Sequence, residues 1–146
     1  MVKYCLPSTG IIIFPSVSIP VNKYKNVDIR EYIYDMDVVM AAADLIISRS
    51  GAITVSEICA IGVPAVLIPS PNVTNNHQEY NACALSDEGA AITILEEDFN
   101  VETLKEAADS ILKDTEVSDR MREKALSMAK RDATEIIYNK ITRLIK

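Results

Sequence analysis

Residues 45–71 read LIISRSGAITVSEICAIGVPAVLIPSP, from Leu45 to Pro71. Two short apolar runs, DLIIS from Asp44 and AVLIP from Ala65, have the unbroken hydrophobicity of strands buried on both faces. Between them AITVSEICAI has the length of a helix. Gly62 stands where a left-handed C-terminal cap would fall, and Pro64 prevents continuation. The junction before that helix is a turn of small residues, Ser50, Gly51 and Ala52, followed by Thr54 and Glu57. Thr54 and Glu57 are three apart and share a helical face.

Two readings fit this junction. Ser50, Thr54 and Glu57 can simply cap the helix and complement its dipole. Alternatively, the unpaired amides at the helix start can hold a diphosphate, with Gly51 and Ala52 leaving room for it. Glu57 would then accept two hydrogen bonds from vicinal ribose hydroxyls. Spacing leaves the choice open.

Working outward, strands and helices alternate. VDIREY from Val27 reads as a strand. DMDVVMAAA reads as a helix with Asp35 as N-cap and Met36, Val39, Met40 and Ala43 on one face. SPNVTN is a loop, HQEYNACALSDEG a helix ending near Gly89, and AAITIL a strand. Three helices close the chain, over 101–113, 117–130 and 133–145. Asn100 caps the first, and Ile136, Ile137, Ile141, Leu144 and Ile145 form an apolar stripe on the last. This alternation implies an α/β fold, a Rossmann-like parallel sheet with helices on both faces. Ligands of such sheets bind beyond the carboxyl ends of the strands, which puts residues 49–54 and 70–78 on one rim. Residues 1–25 fit badly. They are expected to form a divergent segment with one strand in IIIFPSV, ahead of a domain over 26–146.

The chain has 146 residues, 49% of them hydrophobic and 25% charged, enough to bury a core in one domain. Its net charge of -6 argues against a broad nucleic-acid surface. Cys5, Cys59 and Cys83 are odd in number and widely spaced, as expected of reduced thiols in a cytoplasmic protein. His77 is the single histidine, which argues against a His-based zinc site. The opening 20 residues make a poor signal peptide, and no apolar run is of membrane-spanning length.

A second cluster lies in NNHQEYNA. Asn76 and Glu79 have the spacing of a capping box. Gln78, beside His77, is left over, and amides and carboxylates on this rim suit sugar hydroxyls. Asp35 and Asp37 are better read as capping residues than as an acid–base pair. Arg49 either offsets phosphate charge or sits at the surface.

The segment from YIYDMDVVMAAADLIISRSG through AITVSE to PSPNVTNNHQEYNA, with DAT before the last helix, resembles the C-terminal half of the MurG glycosyltransferases. These are two-domain GT-B enzymes of glycosyltransferase family 28 that add N-acetylglucosamine to lipid I in peptidoglycan synthesis. The resemblance covers about residues 27 to 146. It implies that the backbone at Ile33 reads the uracil, with Met36 beside it. Gly51, Ala52, Ile53 and Thr54, flanked by Arg49 and Ser50, lie near the phosphates. Glu57 binds the ribose, while Gln78 and Glu79 face the sugar. Members often have two glutamines at the last two positions, so Glu79 is a departure.

The front departs further. The family's Gly-Gly-Ser-type diphosphate loop is not in residues 1–25, and the acceptor domain with its catalytic base and membrane-facing surface is missing. A fragment, a truncated product or a partial homologue is therefore expected, with no catalytic residue and no metal implied in this chain. Expected partners are a UDP-sugar, a separate acceptor domain or chain, and a second copy as homodimer. The rival class is a non-catalytic UDP-sugar-binding module; an inert α/β fragment is the third reading.

Overall fold

The computed structural model describes the strand backbones of residues 3–6, 11–13 and 28–30, and residues 33–145 in full. Six strands form one sheet in the order β3-β1-β2-β4-β5-β6. They are β1 (Lys3–Leu6), β2 (Ile11–Ile13), β3 (Asp28–Arg30), β4 (Leu45–Ser48), β5 (Ala65–Leu67) and β6 (Ala91–Thr93). β2, β4, β5 and β6 run parallel, in the register Ile12–Ile46, Ile46–Ala65 and Ala65–Ala91. This is the expected Rossmann-like core. β1 is an addition: it lies antiparallel between β2 and β3. Three strands, β2, β1 and β3, thus extend the sheet beyond β4.

The helices are α1 (Met36–Ala41), α2 (Ala52–Ile61), α3 (His77–Ser86), α4 (Val101–Leu112), α5 (Thr115–Met128) and α6 (Ala133–Leu144). Alternation along β4 sorts them into layers, because successive side chains leave a strand on opposite faces. Ile46 joins Met40, Ile58, Leu67 and Leu85 in a core beneath α1, α2 and α3. Leu45 and Ile47 join Val66, Ile111 and Met121 on the other face, beneath α4 and α5. Ile58 is wholly buried. Truncating it to alanine would remove the centre of the first core, a change that typically costs about 2–5 kcal/mol. α5 belongs to both cores, through Met121 and Ala125. It begins two residues before the expected Val117, because Asp114 caps it by accepting from the amides of Glu116 and Val117.

Cys59 and Cys83 are free thiols, and burial pushes the Cys59 thiol above its ordinary value. No described helix is long and apolar enough to cross a membrane. α6 has the expected apolar stripe, and none of its residues is buried: Ile137, Ile141 and Leu144 all stand exposed.

Candidate functional site

The parallel strands β4 and β5 end at Arg49–Gly51 and Ile68–Pro71, and α2 and α3 begin from these ends. α2 starts at Gly51 with no side chain capping its first amides. Ser50, the expected cap, is fully buried and committed elsewhere: its hydroxyl donates to the Gln78 carbonyl at 2.6 Å, and its own carbonyl accepts from Asn81 Nδ2 at 3.0 Å. These bonds lash the start of α3 to the end of β4. Among the described residues, no hydrogen bond or ion pair engages the side chains of Thr54 or Glu57. Thr54 is half-buried and Glu57 exposed. None of the three side chains therefore caps the α2 amides by a hydrogen bond.

Gly51 has φ -64° and ψ 147°, a conformation open to any residue. A Cβ built there meets nothing within 4 Å. Neither backbone strain nor packing requires this glycine. Ala52 and Ile53 follow it on the exposed first turn, with Ile53 77% exposed.

Arg49 is held within the rim. Its Nη1 donates to the carbonyls of Ile68 and Pro69, both at 3.2 Å, and pairs with the carboxylate of Glu96. Gln78 is half-buried, and its Oε1 accepts from the Ser70 amide at 3.0 Å. Glu79 pairs with Asn76 Nδ2, but this is no capping box. Asn75 and Asn76 both adopt the left-handed conformation, with φ 55° and 52°, and no side chain caps the amides of α3. Asparagine tolerates that conformation better than most residues. His77 is exposed and bonds the Thr74 carbonyl through Nδ1 at 2.9 Å, so it staples its own turn. Glu79 lines a cleft of about 560 Å³ with Ser70, Asn76, Leu95, Glu96 and Glu97.

Ile33 is buried, and Met36 packs against the core that contains Ile58 and Cys59 of α2. Asp35 occupies the N-cap position of α1 without a side-chain hydrogen bond. The structure thus joins Ser50 to Gln78 and Asn81 across the rim, but it sets Ala52, Ile53 and Glu57 in a second cleft, with Leu85, Met128 and Lys130, apart from the one that Glu79 lines. Asn81, Ser70 and Glu96 are the rim residues that sequence reasoning did not single out. Asn81 lay within the quoted NNHQEYNA stretch, whereas nothing local marks Glu96.

Comparison with known proteins bears on the family and the fold. Residues 4–137 match the glycosyltransferase family 28 C-terminal domain. A curated UDP-N-acetylglucosamine–N-acetylmuramyl-(pentapeptide) pyrophosphoryl-undecaprenol N-acetylglucosamine transferase from Acetivibrio thermocellus is 43% identical over 98% of this chain and 39% of its own length. The protein of the same name from Caldanaerobacter subterraneus is 50% identical over 77% of this chain and 31% of its length. The chain thus spans between three and four tenths of these relatives. Among solved structures, Acinetobacter baumannii MurG superposes with a TM-score of 0.71 at 34% identity, covering 77% of this chain and 33% of that one. The spinosyn forosaminyltransferase SpnP shares the fold alone, with a TM-score of 0.65 at 16% identity over 90% of this chain and 34% of its own. By its sequence and its fold, the chain belongs to glycosyltransferase family 28, whose C-terminal domain it matches.

Proposed function

We propose that this chain is the donor-binding part of a MurG-like inverting glycosyltransferase, with UDP-N-acetylglucosamine as donor and lipid I as acceptor, acting at the cytoplasmic side of the membrane. The observation that carries the reading is the open start of α2: a helix whose first amides have no side-chain cap, fronted by an unobstructed glycine and flanked by the unengaged Thr54 and Glu57. Oriented amides and the positive end of the helix dipole favour a diphosphate there. Glu57, one turn on, suits the ribose hydroxyls, and the rim around Gln78 and Glu79 suits the sugar.

In the reaction, the acceptor C4 hydroxyl forms a new bond to the anomeric carbon as the bond from that carbon to the UDP oxygen breaks. Configuration inverts and the hydroxyl proton passes to a base outside this chain. The leaving diphosphate gains negative charge, and the α2 amides, already oriented, stabilise it without reorganising. The second reading is a non-catalytic UDP-sugar-binding module that works with a separate acceptor-domain partner. Calorimetric titration with UDP tests both: saturable binding is expected, and no heat would overturn them together. Transfer of sugar to lipid I by the chain alone is not expected, and measuring it would overturn the second reading.

A further inference from the structure

Arg49 forms a brace at the rim. Three strand ends meet at its guanidinium. Arg49 follows β4, the carbonyls of Ile68 and Pro69 follow β5, and the Glu96 carboxylate follows β6. Pro69 and Ser70 form one wall of the 560 Å³ cleft, and Glu96 and Glu97 form another. The same guanidinium therefore grips two walls of one cleft. Ser70, next after Pro69, uses its amide to fix the Gln78 side chain. All three contacts converge on one atom, Arg49 Nη1. The charge also matters. Glu79, Glu96 and Glu97 line the cleft, and the half-buried Arg49 is the cation paired with one of them. Without it, an anionic donor would meet an uncompensated acidic wall.

We infer that Arg49 is a positioning residue: by joining the β5 and β6 strand ends it fixes Ser70, and through Ser70 the side chain of Gln78, so that the rim discriminates for the sugar half of a nucleotide-sugar. The selectivity in this statement rests on the donor-binding reading above; the bracing does not.

The test uses the full chain with Arg49→Met and Arg49→Lys. Amide hydrogen exchange by NMR reads the brace without any ligand. In Arg49→Met the Ser70 amide should exchange at least about tenfold faster, a local opening, while the Ile46 amide in the sheet keeps its rate. Arg49→Lys should restore part of the protection. Unchanged exchange at Ser70 would overturn the bracing, and so would equal loss at Ile46, which would mean that Arg49 supports the whole sheet.

Calorimetry with UDP and UDP-N-acetylglucosamine reads the consequence. In Arg49→Met the preference for the sugar nucleotide over UDP should fall about tenfold, as expected when a positioned group is released. Weakening of both ligands in the same proportion would overturn the selectivity role and leave only the charge effect. A wild-type chain that bound neither ligand would overturn the donor reading, while exchange at Ser70 would still decide the brace.

Discussion

The two ends of α2 are built on opposite principles. At its C-terminus everything is closed. Gly62 takes φ +73° and returns its amide to the Ile58 carbonyl at 2.8 Å. Arg131 donates to the Ala60 carbonyl at 2.7 Å, and Arg122 reaches the Gly62 carbonyl at 3.5 Å, so cations meet the negative end of the dipole. A Cβ on Gly62 would lie 2.4 Å from Leu126 Cγ. At the N-terminus nothing is closed. Gly51 has an ordinary conformation and empty space before it, and no side chain caps the helix. One glycine is there because the fold cannot tolerate a side chain. The other is required neither by backbone strain nor by packing.

The largest effect that can break this comparison is at the closed end. Gly62→Ala places an L-residue in the left-handed region, about 1–2 kcal/mol, and forces Leu126 aside, roughly another 1–2 kcal/mol by analogy with overpacked cores. The expected fall in melting temperature is roughly 5–15 °C. Leu126→Ala in the same chain should recover the steric share and leave the strain. If Gly62→Ala melted like the wild type, the closed end would not be a constraint of the fold.

At the open end the effects should fall on binding. Glu57→Ala removes a charged acceptor from the expected ribose site and should cost about 1.5–3 kcal/mol of UDP affinity, with stability within about 0.5 kcal/mol because the residue is exposed and unpartnered. Calorimetry alongside a thermal melt separates the two. Unchanged UDP affinity would remove Glu57 from the site.

Gly51→Ala sharpens the contrast between the glycines, since the same substitution is made at both ends of one helix. Its backbone conformation suits alanine, but glycine is preferred to alanine at an N-cap, so the change should cost about 0.5–1 kcal/mol. The melt should therefore move much less than that of Gly62→Ala, while the added methyl crowds the expected phosphate position and weakens UDP about tenfold, or 1.4 kcal/mol. A melt that fell as far as that of Gly62→Ala would mean the two ends are not different in kind.

Legibility followed the range of the forces involved. The strands at Leu45 and Ala65, α2 and its Gly62 cap could be read because unbroken apolar runs and local capping determine them. β1 could not: KYCL gains its place from partners at Ile11–Ile13 and Asp28–Arg30, and no local pattern announces a non-local antiparallel pairing. The site divides the same way. Residues 50–57 were visible as a cluster, but whether Ser50 caps α2 depended on where it points, and its partner is 28 residues away. Arg49 was ambiguous for the same reason, with partners 19, 20 and 47 residues on. The Asn76–Glu79 spacing promised a capping box, and the left-handed backbone at Asn76 prevented it.

The smallest effect concerns a helix start that has no rim to serve. α4 is closed at its N-terminus by a reciprocal capping box: Asn100 Oδ1 accepts from the Thr103 amide at 2.9 Å, and the Asn100 amide donates to Thr103 Oγ1 at 3.0 Å. Asn100 is exposed, so little packing is lost with it. Asn100→Ala should cost about 1 kcal/mol, the ordinary value of a lost N-cap, which a urea titration resolves as a shifted midpoint with an unchanged slope. UDP affinity should not change, because α4 packs on the sheet face opposite α2 and its amides already have a partner. This is the reverse of the pattern at Gly51, where binding should move more than stability. A nucleotide affinity that fell with Asn100→Ala would mean that α4 is coupled to the rim, and that the difference between a capped and an uncapped helix start does not mark the site.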